Sequence, residues 1–172
     1  MKGMGDGDAG RNVTRVLFVC LGNICRSPIA EGVFRHKVAK LGIADRFEVD
    51  SAGTGAWHVG EPPDARMRQT ARARGIPIDD LRARRVEARD LLHFDVILAM
   101  DRSNEADLRS FDVPAAYRGR VRLFRSYDPD PGDPDVPDPY YGGVGGFDEV
   151  FAIVSRTCDE LIAALSRDGS GG

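Results

Sequence analysis

The stretch FVCLGNICRSP, residues 18–28, ends an apolar run in a thiol and sets an arginine six positions later, two residues before a proline. A cysteine between the end of a strand and the start of a helix is a candidate nucleophile, and Arg26 is a candidate anion clamp. Gly22 takes positive φ freely, and Asn23 is among the few other residue types that tolerate it. A loop curled in this way turns successive backbone N–H groups inward as an anion nest. The helix expected from Pro28 adds free amides and the positive end of its dipole. Arg26 contributes a planar fork that matches two oxygens of a phosphate. The same field favours the thiolate of Cys20, the nucleophilic form. Ser27 is placed to donate a hydrogen bond to that sulfur and to help it leave in a second step. C-x5-R alone is weak evidence in an arginine-rich chain, because cysteine is one of the most buried residue types. Weight comes from the preceding strand and from Gly22, Asn23, Ser27 and Pro28 standing in register with it.

The elements needed to hold such a loop can be read along the chain. RVLFVC (15–20) is a buried strand, and a helix fits residues 28–41 with Ala30, Phe34, Val38 and Leu41 on one face. RFEVDSAG (46–53) alternates as a second strand, and residues 63–75 open on Pro and stop at Gly as a helix does. A short helix near VEARDLLHF precedes the strand DVILAM (95–100); a helix over 102–111 and a strand at 120–124 follow. The Pro- and Gly-rich stretch after residue 125 excludes regular structure. The last helix carries the stripe Phe147, Val150, Phe151, Val154, Cys158, Leu161, Ile162 and Leu165. Alternating βα units predict an α/β single domain over 14–167, a mainly parallel sheet with helices on both faces, between flexible tails at 1–13 and 168–172. Ligands of such sheets bind beyond the carboxyl ends of the strands, where Cys20 lies.

Bulk properties exclude several other readings. The chain has 172 residues and a net charge of −3, which gives no general reason to expect nucleic-acid binding. No apolar run is long enough to span a bilayer, and no signal peptide is evident, so a cytoplasmic location is the default. Three cysteines at this spacing fit neither a disulfide framework nor a zinc site. Asp128, Asp130, Asp133, Asp135 and Asp138 all lie in the proline-rich loop, where composition does not choose among them; most are read as solvated turn residues.

VCLGNICRSPIAEGVF closely resembles the active-site segment of low-molecular-weight protein tyrosine phosphatases, and the likeness extends through DSAGTGAWHVG, VILAMDRSN and DPYYGG. The resemblance implies a four-stranded parallel sheet and hydrolysis of phosphotyrosine in two steps through a phosphocysteine, with no metal or other cofactor. It makes Cys20, Arg26 and Asp138 catalytic, Asp138 being the acid and later the base of the DPYY segment. It assigns phosphate and substrate binding to Leu21, Gly22, Asn23, Ile24, Cys25 and Ser27, with Trp57, Tyr140 and Tyr141 as pocket walls. Ser51 and Asp101 are supporting residues, and Asp101 also suits a helix cap. The resemblance further implies phosphotyrosine-containing protein partners, inorganic phosphate as product and inhibitor, and a monomer that binds neither nucleic acid nor membrane. In relatives, Cys20 and Cys25 would form a reversible disulfide, the paired tyrosines can be phosphorylated, and secretion without a signal peptide occurs. A histidine commonly joins the network of Asn23, Ser27 and Ser51; here Asp80 or Leu81 stands near its place. Ile24, where protein-arginine phosphatases carry Thr, favours phosphotyrosine. An arsenate reductase would need further cysteines, and a non-catalytic phosphotyrosine-binding module would need no acid.

Overall fold

A computed structural model describes residues 13–141 and 146–171. The stretch before Val13, expected to be a tail, and residues 142–145 lie outside the described residues. Strands β1 (Thr14–Cys20), β2 (Phe47–Gly53), β3 (Val96–Ala99) and β4 (Val121–Leu123) form one sheet in the order β2-β1-β3-β4, and all pairs are parallel. Val19 pairs with Ala99, and Cys20 pairs with Gly53. The chain steps outward from β1 to β2 and then returns past β1 to β3, so strand order reverses beside β1. Beyond the carboxyl ends at such a reversal lies the natural ligand crevice of an open α/β sheet. Cys20 ends β1 there, and Asp101 follows β3 at the same end.

Among the described residues, six helices accompany the sheet: α1 (Arg26–Lys40), α2 (Ala65–Ala73), α3 (Ala88–His93), α4 (Arg102–Arg109), α5 (Ala115–Arg118) and α6 (Gly146–Gly171). α1 starts two residues ahead of Pro28. Proline fits the first turn, whose amides have no helical acceptor in any case, so Arg26 becomes the first helical residue. α2 starts at Ala65 because the Asp64 carboxylate caps it, accepting from the Arg66 amide at 2.8 Å. α5 and the 3₁₀ turns Ala44–Arg46, Phe124–Tyr127 and Pro139–Tyr141 were not expected; the last two lie in the proline-rich stretch read as irregular. The backbone of α6 stays helical to Gly171, past the expected boundary at 167.

The two-residue period of β1 builds both layers. Val16, Phe18 and Cys20 face α1, α2 and α6, while Leu17 and Val19 face Leu91, Phe94 and Leu108 from α3, α4 and their surroundings. Phe18 is fully buried between Phe34, at 5.8 Å, and Phe124, edge-on at 5.7 Å. The α6 stripe is buried as expected except for Phe151, which is half-buried; Ile153 and Thr157 join it. Ile24 and Cys25 belong to the same cluster as Phe18, so the candidate loop rests on the core.

The stretch after β4 is tied down by charge. Asp128 accepts from Arg125 and Arg156, and Asp135 accepts from Arg102. Burial alone would favour a neutral Asp128, but its arginine bonds and the Asp130 amide outweigh that and hold it below the usual carboxylate range. Arg102 lowers Asp135 in the same way, and at Asp64 burial is outweighed by Arg66. A carboxylate depressed in the folded state stabilises it above the unfolded pKa, and that contribution disappears as pH falls through the folded value. Through these three carboxylates, urea stability is therefore expected to fall below about pH 4, where free aspartate protonates. Asp128→Asn should be less stable at neutral pH and show a shallower acid fall. An acid slope in this variant equal to that of the parent would contradict the assignment.

Candidate active site

Residues 20–27 curl around the sulfur of Cys20. The Asn23 amide donates to Cys20 Sγ at 3.3 Å, and Ser27 Oγ lies 3.0 Å from the same atom. Asn23 carries the positive φ, 58°, and is the only non-glycine residue to do so among those described. Gly22 does not adopt a left-handed conformation, contrary to expectation. Its missing side chain instead leaves room for His58, whose Cδ2 would lie 3.1 Å from a Cβ there. At Gly53 a Cβ would meet the Leu21 carbonyl oxygen at 2.7 Å, so glycine at the end of β2 lets the two backbones touch. Among the described residues, the amides of Gly22, Ile24, Cys25 and Arg26 have no protein acceptor. Buried amides are rarely left so. At the first turn of a helix this arrangement makes an anion seat.

A side-chain network fixes the loop from behind. Asn23 Nδ2 donates to Ser27 Oγ (2.7 Å) and Ser51 Oγ (3.1 Å), while Asn23 Oδ1 accepts from the Arg84 amide at 3.0 Å. Every polar atom of the Asn23 side chain is thus engaged. Because Asn23 donates to the Ser27 oxygen, the Ser27 hydrogen is left for Cys20 Sγ or the Ala52 carbonyl at 3.4 Å. Ser51 in turn donates to Glu31 Oε1 at 2.7 Å, and Glu31 Oε2 pairs with Arg35 at 2.7 Å. Glu31 is 2% exposed, and this burial pushes its carboxyl up against the opposing pull of Ser51 and Arg35. Where a histidine was missed, the network closes on Glu31 and on the Arg84 backbone. Asp80 is exposed, and Leu81 packs on the core.

Arg26 is 3% exposed. Its Nη1 donates to Asp101 Oδ2 (2.7 Å) and the Val136 carbonyl (3.0 Å), and its Nη2 lies 3.5 Å from Asp138 Oδ2. A buried charge costs several kcal/mol when unpaired, so these partners are a condition of its placement. Burial works against the charge on Arg26, yet Cys20, Asp101 and Asp138 hold its pKa above the ordinary value. Asp101 does two jobs, since its Oδ1 also caps α4 by accepting from the Asn104 amide at 2.7 Å.

A pocket of about 240 Å³ opens over Cys20 and Arg26. Its apolar walls are Leu21, Ile24, Trp57 and Tyr140, with Cys25, Gly22, His58 and Asp138 completing the lining. Trp57 is 70% exposed and forms the rim rather than a deep wall. Of the five loop aspartates, Asp138 alone lines this pocket; Asp135 is turned to Arg102, and Asp128 is buried rather than solvated. Tyr141 follows Tyr140 in the 3₁₀ turn, and its side chain lies outside the described residues. Cys20, Cys25 and Cys158 are free thiols, and burial pushes Cys25 and Cys158 well up. His58 also lines the pocket, although it was not among the binding residues expected from the sequence. It meets Glu61 at 3.0 Å, and its ring centroid is 6.3 Å from that of Tyr140. Glu31 was missed altogether, although an acid four residues after Ser27 on one helix face, inside the apolar run SPIAEGVF, was a usable signal. Among the described residues, no helix is long and apolar enough to cross a membrane, and no group of three or more His, Cys, Asp or Glu could hold a metal ion.

Comparison with known proteins gives the family and the fold. Residues 15–170 match the family described as low molecular weight phosphotyrosine protein phosphatase. The low molecular weight protein-tyrosine-phosphatase YfkJ of Bacillus subtilis is 43% identical over 155 residues, covering 89% of this chain and 96% of its own. The crystal structure of a protein tyrosine phosphatase from Entamoeba histolytica superposes with a TM-score of 0.86 at 37% identity, over 90% of this chain and 98% of that one. DARP, the drosophila arginine phosphatase, also shares the fold, with a TM-score of 0.80 at 35% identity over 87% and 96% of the two chains. With its sequence matched from β1 through α6, the chain belongs to the low molecular weight phosphotyrosine protein phosphatase family.

Proposed function

We propose that this protein hydrolyses phosphotyrosine in protein substrates through a phosphocysteine on Cys20. The observation that carries this reading is the sulfur set beneath four unpaired loop amides and beside a buried guanidinium. A phosphate dianion in the nest accepts from those amides and takes the Arg26 fork, whose Nη2 is held only at 3.5 Å by Asp138. Cys20 Sγ then attacks phosphorus from below as the bond to the aryl oxygen breaks, and Asp138 delivers its proton to that oxygen. Water next attacks phosphorus, losing a proton to Asp138. The P–S bond breaks, and Cys20 departs with its electron pair, stabilised by the Ser27 hydroxyl and the Asn23 amide. Inorganic phosphate is the product and would compete for the same seat.

The walls support an aryl substrate. Ile24, Tyr140 and Trp57 offer apolar surface to a ring, and no carboxylate other than Asp138 lines the pocket to meet a guanidinium. Tyr140 is fixed by its amide donating to Asp138 Oδ1 at 3.0 Å, so wall and acid move together. Because DARP shares the fold, the substrate class is tested directly. Phosphotyrosine should be turned over far faster than phosphoarginine, and Ile24→Thr should narrow the gap. Faster hydrolysis of phosphoarginine by the parent protein would reverse the assignment.

Cys20→Ser should lack turnover of para-nitrophenyl phosphate while still binding inorganic phosphate, and iodoacetate should inactivate the parent unless phosphate is present. Retained turnover in Cys20→Ser would rule out the covalent route. Asp138→Asn should slow phenyl phosphate hydrolysis by about 10²–10⁴-fold, the usual worth of a general acid. If Asp135→Asn did this instead, the acid would be misassigned.

A further inference from the structure

Asp128 stands apart from the other loop aspartates. Its side chain is fully buried, yet it does not line the pocket. Both oxygens accept twice: Oδ1 from Arg156 Nε (2.8 Å) and the Asp130 amide (2.9 Å), Oδ2 from Arg125 Nε (3.0 Å) and Arg156 Nη2 (3.1 Å). Four bonds saturate a carboxylate. Each arginine then reaches onward to the chain. Arg156, on α6, donates to the Asp130 carbonyl at 3.2 Å, and Arg125 Nη1 donates to the Asp135 carbonyl at 2.9 Å. The next residue, Val136, is buried, with its amide on the Met100 carbonyl (2.8 Å) and its carbonyl on Arg26 (3.0 Å). Two residues later comes Asp138.

We infer that Asp128, through Arg125 and Arg156, is a positioning residue that sets where Asp138 meets the leaving oxygen. The inference rests on Asp138 being the general acid. The path is continuous and local: carboxylate, guanidinium, Asp135 carbonyl, Val136, Asp138. A fully satisfied buried polar network is rigid, and losing one member strands the others. Without Asp128 the Arg125 side chain, itself buried, loses its counter-charge and with it the geometry that aims its second arm at the Asp135 carbonyl. The path touches the phosphate seat only through the Val136 carbonyl, and Arg26 keeps its shorter bond to Asp101 at 2.7 Å, so the larger consequence falls on proton delivery rather than on anion binding.

The test compares two esters that need the acid to different degrees. Phenyl phosphate expels a basic phenolate, whereas para-nitrophenolate leaves more easily unprotonated. Asp128→Asn should lower kcat/KM for phenyl phosphate, which reports the steps up to departure of the aryl oxygen, by about 10²-fold, the scale of a 1 Å misplacement, and lower it much less for para-nitrophenyl phosphate. The inhibition constant for inorganic phosphate should move by far less than this. Combined with Asp138→Asn, Asp128→Asn should cost nothing further in kcat/KM for phenyl phosphate, because both act on the same proton transfer. Arg125→Lys keeps the positive charge but cannot span both Asp128 and the Asp135 carbonyl. It should show the same ester dependence while remaining folded by circular dichroism. Equal losses on both esters, a phosphate constant weakened as much as kcat/KM for phenyl phosphate, or an additive loss in the double variant would overturn the inference. So would unimpaired phenyl phosphate turnover by Asp128→Asn and Arg125→Lys where Asp138→Asn is crippled. A normal rate for Asp138→Asn itself would instead overturn the acid assignment, and this inference with it.

Discussion

The site is organised around one buried guanidinium. Arg26 is nearly inaccessible to solvent, and a charge so placed must find partners or be expelled. Its partners come from separate parts of the chain: the carboxylate of Asp101 beyond β3, the carbonyl of Val136, and, at longer range, Asp138. The electrostatic need of one side chain on α1 thus draws the nucleophile's loop, the third strand and the acid's loop to a common point. The βα order then matters because it brings the ends of β1 and β3 side by side, where Arg26 can reach both.

How much of this could be read from the chain depended on the range of the interaction. The segment from Cys20 to Pro28 is local, and strand, loop and helix follow one another within it, so its geometry was legible apart from one detail. The left-handed turn fell on Asn23, and Gly22 instead provides clearance for His58. The sheet and its two faces were also legible, because the alternation in β1 and the stripe of α6 are periodic signals. The proline-rich loop was not. Its five aspartates look alike in sequence, and what separates them are contacts at long separation: Asp135 to Arg102, Asp128 to Arg156, Asp138 to the pocket. Asp138 was singled out by resemblance to a family, not by any local property.

The network behind the loop shows one requirement met by other residues. Asn23 needs two acceptors and one donor, and these needs are met by Ser27, Ser51 and the Arg84 amide. Ser51 needs an acceptor in turn, and a carboxylate one helical turn beyond Ser27 provides it. The absence of a histidine from GIPIDDLRARR was legible. The role of Glu31 was not, because its partner lies across the layer on β2. Arg35 completes the arrangement by pairing with Glu31 and donating to the Val49 carbonyl, which anchors the network to the middle of β2.

Trp57 at the rim has a practical corollary. It is the single tryptophan of the chain, 70% exposed and lining the mouth above the sulfur. Indole emission depends on the polarity around the ring, so all tryptophan fluorescence of this protein originates at the threshold of its own cavity. An aromatic guest settling there displaces water from that surface, which makes the protein its own optical sensor of occupancy, with no label attached.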